Sequence, residues 1–218
     1  MGARISIGLT YGIGNLKTLV YDDATVEKLQ QELKNIIEYF LDSNGTIKVA
    51  KYSENADGEN WKEINLDSLF FSLENLKDFS SGYYGEILLN SEIIKGKKLD
   101  YTIRTVKETN FFGFLLDIEE ADIFKSTSYP DEEIDSITEK LITTMCRIYS
   151  HSKYDYAFCD LEAQFYYPLE IFKHSDGYIY SVTIIPNSDS NLTVIKSDWH
   201  IDGHNARKKT DKYILYSY

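Results

Sequence analysis

The stretch Phe111-Phe-Gly-Phe-Leu-Leu-Asp-Ile-Glu119 decides the fold, because it is the third of three alternating segments joined by short turns. Its alternation places four large apolar side chains on one face, namely Phe112, Phe114, Leu116 and Ile118. Alternating segments at residues 84–94 and 99–107 precede it, with turns at Lys95–Lys98 and near Asn110. Three successive strands with such short connections predict an antiparallel meander.

Strands and helices also precede the meander. Residues 3–10 alternate as a half-buried strand does, and an amphipathic helix follows from Asp23 to Asp42. Alternation returns at residues 46–53, and a second amphipathic helix is predicted over residues 66–79.

A third helix and a series of short strands follow the meander. Ser128 can cap the free amides of this helix, Pro130 suits its first turn, and three acids favour the positive end of its dipole. Its buried stripe runs from Ile134 to Ile148. The strands predicted after it cover residues 154–159, 165–172, 178–185, 192–196 and 213–218.

Helices and strands alternate without a strict βαβ order, which favours the α+β class. We expect a mixed or largely antiparallel sheet with about three helices packed on one face. At roughly 100–200 residues per domain, 218 residues predict a single domain over residues 1–218. Two related halves, at about residues 1–95 and 96–218, are the alternative.

The overall charge restricts the partners. Lys and Arg number 23 against 35 Asp and Glu, which gives 23 − 35 = −12. A surface this negative repels phosphate backbones and anionic lipids, so nucleic acid and membranes are disfavoured as partners. The sequence contains no long apolar run and no leader pattern, and we expect a monomeric cytoplasmic protein.

Catalytic and cofactor motifs are weak. Cys146 and Cys159 fit no disulfide framework or zinc spacing and are interpreted as buried apolar residues. Gly12-Ile13-Gly14 lacks the rest of a phosphate-binding fingerprint and is interpreted as a turn. The strongest enzyme alternative is a metal-dependent hydrolase that uses His200, Asp202 and His204, since alternate residues of a strand share a face. We expect no cofactor and no catalytic set.

Charge is concentrated just after the meander. Residues 117–139 hold nine acids against Lys125 alone, a balance of −8. Such a segment is either a solvated helix start or a surface that steers a basic partner. The residues predicted to bind a partner are Asp117, Glu119, Glu120, Asp122, Asp131, Glu132, Glu133 and Asp135.

Eighteen tyrosines offer a further interpretation. Most are expected in the core or on the sheet, but tyrosine is also enriched at binding hot spots. Tyrosines beside the carboxylates would suit a protein-binding face. A small-ligand or peptide-binding domain built on a tyrosine-rich sheet is the second alternative.

Four segments carry a resemblance to a known family. They are Ile5-Ser-Ile-Gly-Leu9, Phe111–Glu119, Tyr154-Asp-Tyr-Ala-Phe-Cys-Asp-Leu-Glu162 and Ser197-Asp-Trp-His-Ile-Asp-Gly203. They resemble immunity proteins of bacterial polymorphic toxin systems. The resemblance implies a cytoplasmic antidote that binds and blocks a cognate toxin, often a nuclease, and it assigns no individual residue. A basic cleft that holds nucleic acid could be occupied by clustered carboxylates.

Overall fold

The computed structural model describes residues 2–14, 21–55, 57–64, 73–124, 130–165, 180–188, 191–207 and 214–217. The strands are β1 (Arg4–Gly12), β2 (Thr46–Ser53), β3 (Trp61–Ile64), β4 (Tyr84–Ile94), β5 (Lys97–Lys107), β6 (Phe111–Glu119), β7 (Tyr156–Leu161), β8 (Val182–Ser188), β9 (Asn191–Lys196) and β10 (Ile214–Ser217). The helices are α1 (Asp23–Asp42), α2 (Leu73–Ser81), α3 (Glu120–Ile123) and α4 (Asp131–His151).

All of these strands belong to one sheet, in the order β10-β9-β8-β7-β1-β6-β5-β4-β2-β3. Each pairing between neighbouring strands in the described residues is antiparallel. The predicted meander is present as β4, β5 and β6. The N-terminal strand β1 lies between β6 and β7 and therefore joins the meander to the C-terminal strands.

The expected fold class is wrong. The fold is dominated by a ten-stranded antiparallel sheet, not by an α+β arrangement with a mixed sheet and about three helices on one face. The helices do not form a simple layer, because α1 contacts α2 and α4 as well as β4, and α3 is a single turn after β6. Periodicity identifies a strand but not its partner, and the insertion of β1 depends on contacts far apart in sequence.

Some elements were missed and some predictions lie outside the described residues. No element was predicted for the residues of β3, which precede the second predicted helix, and α3 is too short to give a periodic signal. Ser128, the start of the second predicted helix and most of the strand predicted at residues 165–172 fall outside the described residues. In the described part, α4 begins directly after Pro130.

Local chemistry explains the ends of α1. The Asp22 carboxylate accepts the backbone N–H of Thr25 at 2.8 Å and so caps the first turn. At the other end Asn44 has φ 60°, and the N–H of Gly45 bonds to the carbonyl of Phe40 at 3.0 Å. Among the described helices, none is both long and apolar enough to cross a bilayer.

Most of the buried apolar side chains form one cluster between the sheet and the helices. β6 contributes Phe112, Phe114, Leu116 and Ile118, the face predicted from its alternation. Cys146 and Cys159 are both buried free thiols, as predicted. This cluster supplies the main hydrophobic contribution to stability, since burial of apolar area is the dominant favourable term in folding.

A second, smaller cluster lies on the opposite face of the sheet. It contains Leu115, Tyr156, Phe158, Ala163 and Tyr180. Its rings pack closely: those of Phe158 and Tyr180 are stacked with centroids 4.0 Å apart. β6 is consequently buried on both faces, which is why its sequence is apolar almost throughout.

Candidate functional site

Most of the predicted partner-binding residues lie at one end of the sheet. The strand registers show that β6, β7 and β9 end there and that β1 and β8 begin there. Arg4 lies opposite Glu119 in the register of β1 and β6. Four strand spacings of about 4.8 Å separate β6 from β9, so this end of the sheet is roughly 19 Å wide between them. We call this region the acidic end of the sheet.

Asp117 is not part of the exposed surface at the acidic end of the sheet. Its side chain is only 1% exposed and lies between β1 and β5. Ser6 Oγ donates to Asp117 Oδ1 at 2.6 Å, and Arg104 Nε donates to Oδ2. The carboxylate is thus paired inside the molecule and is not available to a partner.

The next acids lie at the end of β6 and in α3. Glu119 pairs with Arg4, Nε to Oε1 at 2.9 Å, and keeps 44% of its side chain exposed. Glu120 is half-buried, and its N–H bonds to the carbonyl of Ala3. Asp122 is exposed, and its carbonyl accepts a hydrogen bond from Lys97 Nζ. These backbone bonds fix the short helix against the sheet.

The remaining acids occupy the first turns of α4. Glu132, Glu133 and Asp135 are exposed and Asp131 is half-buried. Their position is favourable because carboxylates stabilise the positive end of a helix. Asp135 Oδ1 lies 3.4 Å from Nδ1 of His200, which brings the start of α4 to the loop that follows β9.

A partly buried network of hydrogen bonds holds the loop after β9 against the sheet. Arg207 Nη1 donates to the carbonyls of Ser181 and Ser197, at 2.9 and 2.8 Å. Ser181 Oγ donates to Asp160 Oδ1 at 2.6 Å, and burial raises the pKa of that carboxyl. The loop is therefore held by charge-assisted hydrogen bonds from Arg207, and it places His200 beside the start of α4.

His200, Asp202 and His204 form a turn and do not converge on one point. The His200 side chain is buried, and burial lowers its pKa although Asp135 opposes the shift. Asp202 accepts the N–H groups of His204 and Asn205, at 3.2 and 3.1 Å, so its oxygens serve the turn. Within the described residues, no group of three His, Cys, Asp or Glu side chains could hold a metal ion.

A second surface, missed by the sequence analysis, lies where β4 begins and β5 ends. It is a cavity of about 540 Å³ beside three exposed aromatic side chains. Trp61 is 37% exposed, Tyr83 44% and Tyr84 40%. We call this cavity the aromatic groove. Only the adjacent Tyr83 and Tyr84 signalled it in the sequence, because the tertiary fold brings Trp61 from β3 beside them.

Comparison with known proteins defines the class as an immunity protein. The model of the family Imm64, Immunity protein 64, matches residues 1–207, nearly the whole chain. The chain belongs to the Immunity protein 64 family. The resemblance found in the sequence to immunity proteins is thereby confirmed.

Comparisons with curated proteins and with solved structures give no closely related protein. A search of the curated proteins finds no match. Among solved structures, a Pseudomonas aeruginosa T6SS protein is similar with a TM-score of 0.35 and 8% identity. The alignment covers 73% of this chain and 41% of that one, so this chain spans less than half the length of that protein.

Proposed function

We propose that this immunity protein binds a cognate toxin domain in the cytoplasm and neutralises it by stoichiometric association. The acidic surface that contacts the toxin consists of Glu119, Glu120, Asp122, Asp131, Glu132, Glu133 and Asp135. Membership of the immunity protein family is the observation that carries the proposal.

Charge and position support the choice of this surface. Its carboxylates come from α3, the end of β6 and the first turns of α4, all at the acidic end of the sheet. Clustered like charge accelerates encounter with a partner of opposite charge and rejects partners of the same sign. An antidote must capture its toxin before the toxin acts, so a fast association rate is the property that this surface would supply.

Because Asp117 is paired inside the protein, we leave it out of the set of acids predicted from charge to contact the partner. With Ser6 and Arg104 as its partners, Asp117 contributes to folding. Glu119 is partly neutralised by Arg4 and contributes less than the exposed acids of α4, because its charge is already paired. The centre of the proposed surface is therefore Glu132, Glu133 and Asp135.

The toxin class that fits a surface of carboxylates is an enzyme with a basic substrate cleft. A nuclease is such an enzyme, since it must hold a polyanionic strand. Carboxylates spaced along the acidic end would occupy that cleft and block access of the substrate. In this proposal the immunity protein performs no chemistry itself and acts as a monomer.

The test uses this full chain and the toxin domain encoded beside its gene. Association and dissociation rates are measured over a series of NaCl concentrations, together with the residual activity of the toxin. We expect Glu132→Lys/Glu133→Lys to lower the association rate by about tenfold or more at low salt, with a smaller effect at high salt.

A matched control makes the same charge change elsewhere. Asp23→Lys/Glu27→Lys reverses two acids in the first turns of α1, where Lys28 Nζ bonds to the carbonyl of Gly12 at the opposite end of β1. We expect its association rate to stay within about twofold of the unmodified protein. Equal losses for both variants would contradict the assignment of the surface, and the absence of any complex would contradict toxin binding itself.

A further inference from the structure

The aromatic groove combines exposed rings with carboxylates. Its floor comes from the start of β4 and the end of β5, which pair in antiparallel register, and Trp61 of β3 borders it. The rings of Tyr83 and Tyr84 meet edge to face with centroids 5.5 Å apart. The volume of about 540 Å³ falls within the range of roughly 300–1,000 Å³ usual for binding pockets.

The cations that line the groove are already engaged inside the protein. Arg104 is paired with the buried Asp117. Lys107 Nζ donates to the carbonyls of Ser80 and Gly82. Arg104 Nε and Lys107 Nζ therefore donate to groups of the protein itself.

Among the residues that the structure describes, three carboxylates line the groove. Glu86 is paired with Lys51, Nζ to Oε2 at 2.9 Å. Asp57 and Glu108 are exposed and form no ion pair within the described part of the chain. Asp57 Oδ1 accepts the backbone N–H of Glu59 at 3.1 Å. The groove thus presents two unneutralised negative charges beside aromatic faces.

One cation already uses this chemistry inside the molecule. Lys51 Nζ lies 4.5 Å from the ring centroid of Trp61 while it pairs with Glu86. Electron-rich ring faces attract cations, and a nearby carboxylate adds a charge partner. The pair shows the geometry in which an aromatic ring and a carboxylate of this surface hold an ammonium group.

We propose that the aromatic groove receives an arginine or lysine side chain of the toxin, an inference that rests on the proposed function. Asp57 and Glu108 neutralise the cation, and the rings of Trp61, Tyr83 and Tyr84 pack against it. In the strand register, Lys107 at the end of β5 lies opposite Phe112 near the start of β6. Phe112 is seven residues, or about 23 Å along the strand, from Glu119. The groove and the acidic surface therefore contact different segments of the toxin.

The first experiment needs no toxin. Trp61 and Trp199 are the two tryptophans of the chain, so Trp199→Phe leaves Trp61 as the reporter in the groove. The fluorescence of Trp61 is titrated with acetyl-arginine amide and with the neutral analogue acetyl-citrulline amide. We expect the fluorescence to change saturably with the arginine compound, with a Kd on the order of 1 mM. The Kd of the citrulline compound should be at least about fivefold higher.

Variants assign the charge partner. Asp57→Asn/Glu108→Gln should raise the Kd of the arginine compound by about fivefold. The matched control Glu27→Gln/Glu38→Gln on α1 should leave that Kd unchanged. All four positions are exposed, and thermal unfolding of each variant checks that the fold is retained. No change in Trp61 fluorescence, or equal binding of arginine and citrulline, would overturn the inference.

The second experiment uses the toxin domain encoded beside the gene. Tyr83→Ala and Asp57→Asn/Glu108→Gln should each raise the Kd for the toxin by about fivefold, through faster dissociation. An unchanged Kd with a normal complex would overturn the groove inference and leave the proposed function intact. The absence of a complex with the unmodified chain would overturn the proposed function, while the arginine titration still decides whether the groove binds cations.

Discussion

Arg104 on β5 donates to Asp117 on β6, and this contact separates two kinds of carboxylate in one acidic segment. The Asp117 side chain is 1% exposed, whereas that of Asp135, in the same charged run, is 55% exposed. A charge in a buried site must be paired and hydrogen-bonded, and Ser6 completes that pairing. The acidic segment therefore contains a structural residue as well as surface residues.

The first prediction concerns the stability contributed by this pair. Asp117→Asn removes the charge and leaves the guanidinium of Arg104 without its partner, so we expect a loss of about 2–3 kcal/mol in the free energy of unfolding. Urea denaturation measures it. Glu119→Gln is the matched control, because its exposed pair with Arg4 should be worth less than about 1 kcal/mol. Equal losses would contradict the structural role of Asp117.

The second prediction concerns acidification. Burial lowers the pKa of His200 below its value of 6.5 in the unfolded chain, although Asp135, Asp202 and Asp131 raise it and Arg207 adds to the lowering. As pH falls below 6.5, the unfolded chain takes up a proton that the folded chain does not, so stability falls. The free energy of unfolding falls by at most about 1.4 kcal/mol per pH unit, and this fall ends once the pH is below the pKa of His200 in the folded protein.

His200→Gln removes this titration and should flatten the corresponding part of the curve. The measurement is the free energy of unfolding of both proteins at several pH values between neutral and mildly acidic. Because other groups titrate in both proteins, the difference between the two curves isolates His200. A difference that does not vary with pH would show that His200 titrates alike in the folded and unfolded chain.

The third prediction concerns the close approach of β1 and β7. A Cβ at Gly8 would overlap the ring of Phe158, the residue opposite it in the register. Gly8→Ala should therefore cost about 2 kcal/mol or more, since the stacked ring has no room to move. Thermal or urea unfolding measures the loss. In the double variant Gly8→Ala/Phe158→Leu the two losses should be less than additive.

The fourth prediction concerns the thiols. Cys146 and Cys159 are buried, and burial raises the pKa of the Cys159 thiol. The thiolate is the reactive form, so neither residue should react with iodoacetamide in the native protein, and both should react after denaturation. Mass spectrometry counts the labelled sites. Rapid labelling of the native chain would contradict the burial of the thiols.

Local patterns predicted the elements well and the assembly less well. The alternation of β6 correctly identified the face that carries Phe112 and Phe114, and α1 has the predicted limits, Asp23–Asp42. Cross-strand partners were not predictable, because the insertion of β1 between β6 and β7 depends on pairs that are 99 (Gly12 and Phe111) to 156 (Ile5 and Leu161) positions apart. The wrong fold class follows from that missing information.

The candidate surfaces show the same division. Charge density alone marked the acidic segment, but the sequence could not show that Asp117 is paired with Arg104. Trp61, Tyr83 and Tyr84 were not recognised as a group, since no strand was predicted at β3 and most tyrosines were expected in the core or on the sheet. A groove requires three segments to meet, and no single pattern contains that information.

By itself the sequence determined most of the elements, the negative charge, its concentration after the meander and the likeness to immunity proteins, because periodicity, composition and short segments are local properties. The tertiary structure alone decided which carboxylates face solvent and which aromatic rings share a cavity. The physical reason is that burial and pairing depend on neighbours brought together by the sheet, and these neighbours are distant along the chain.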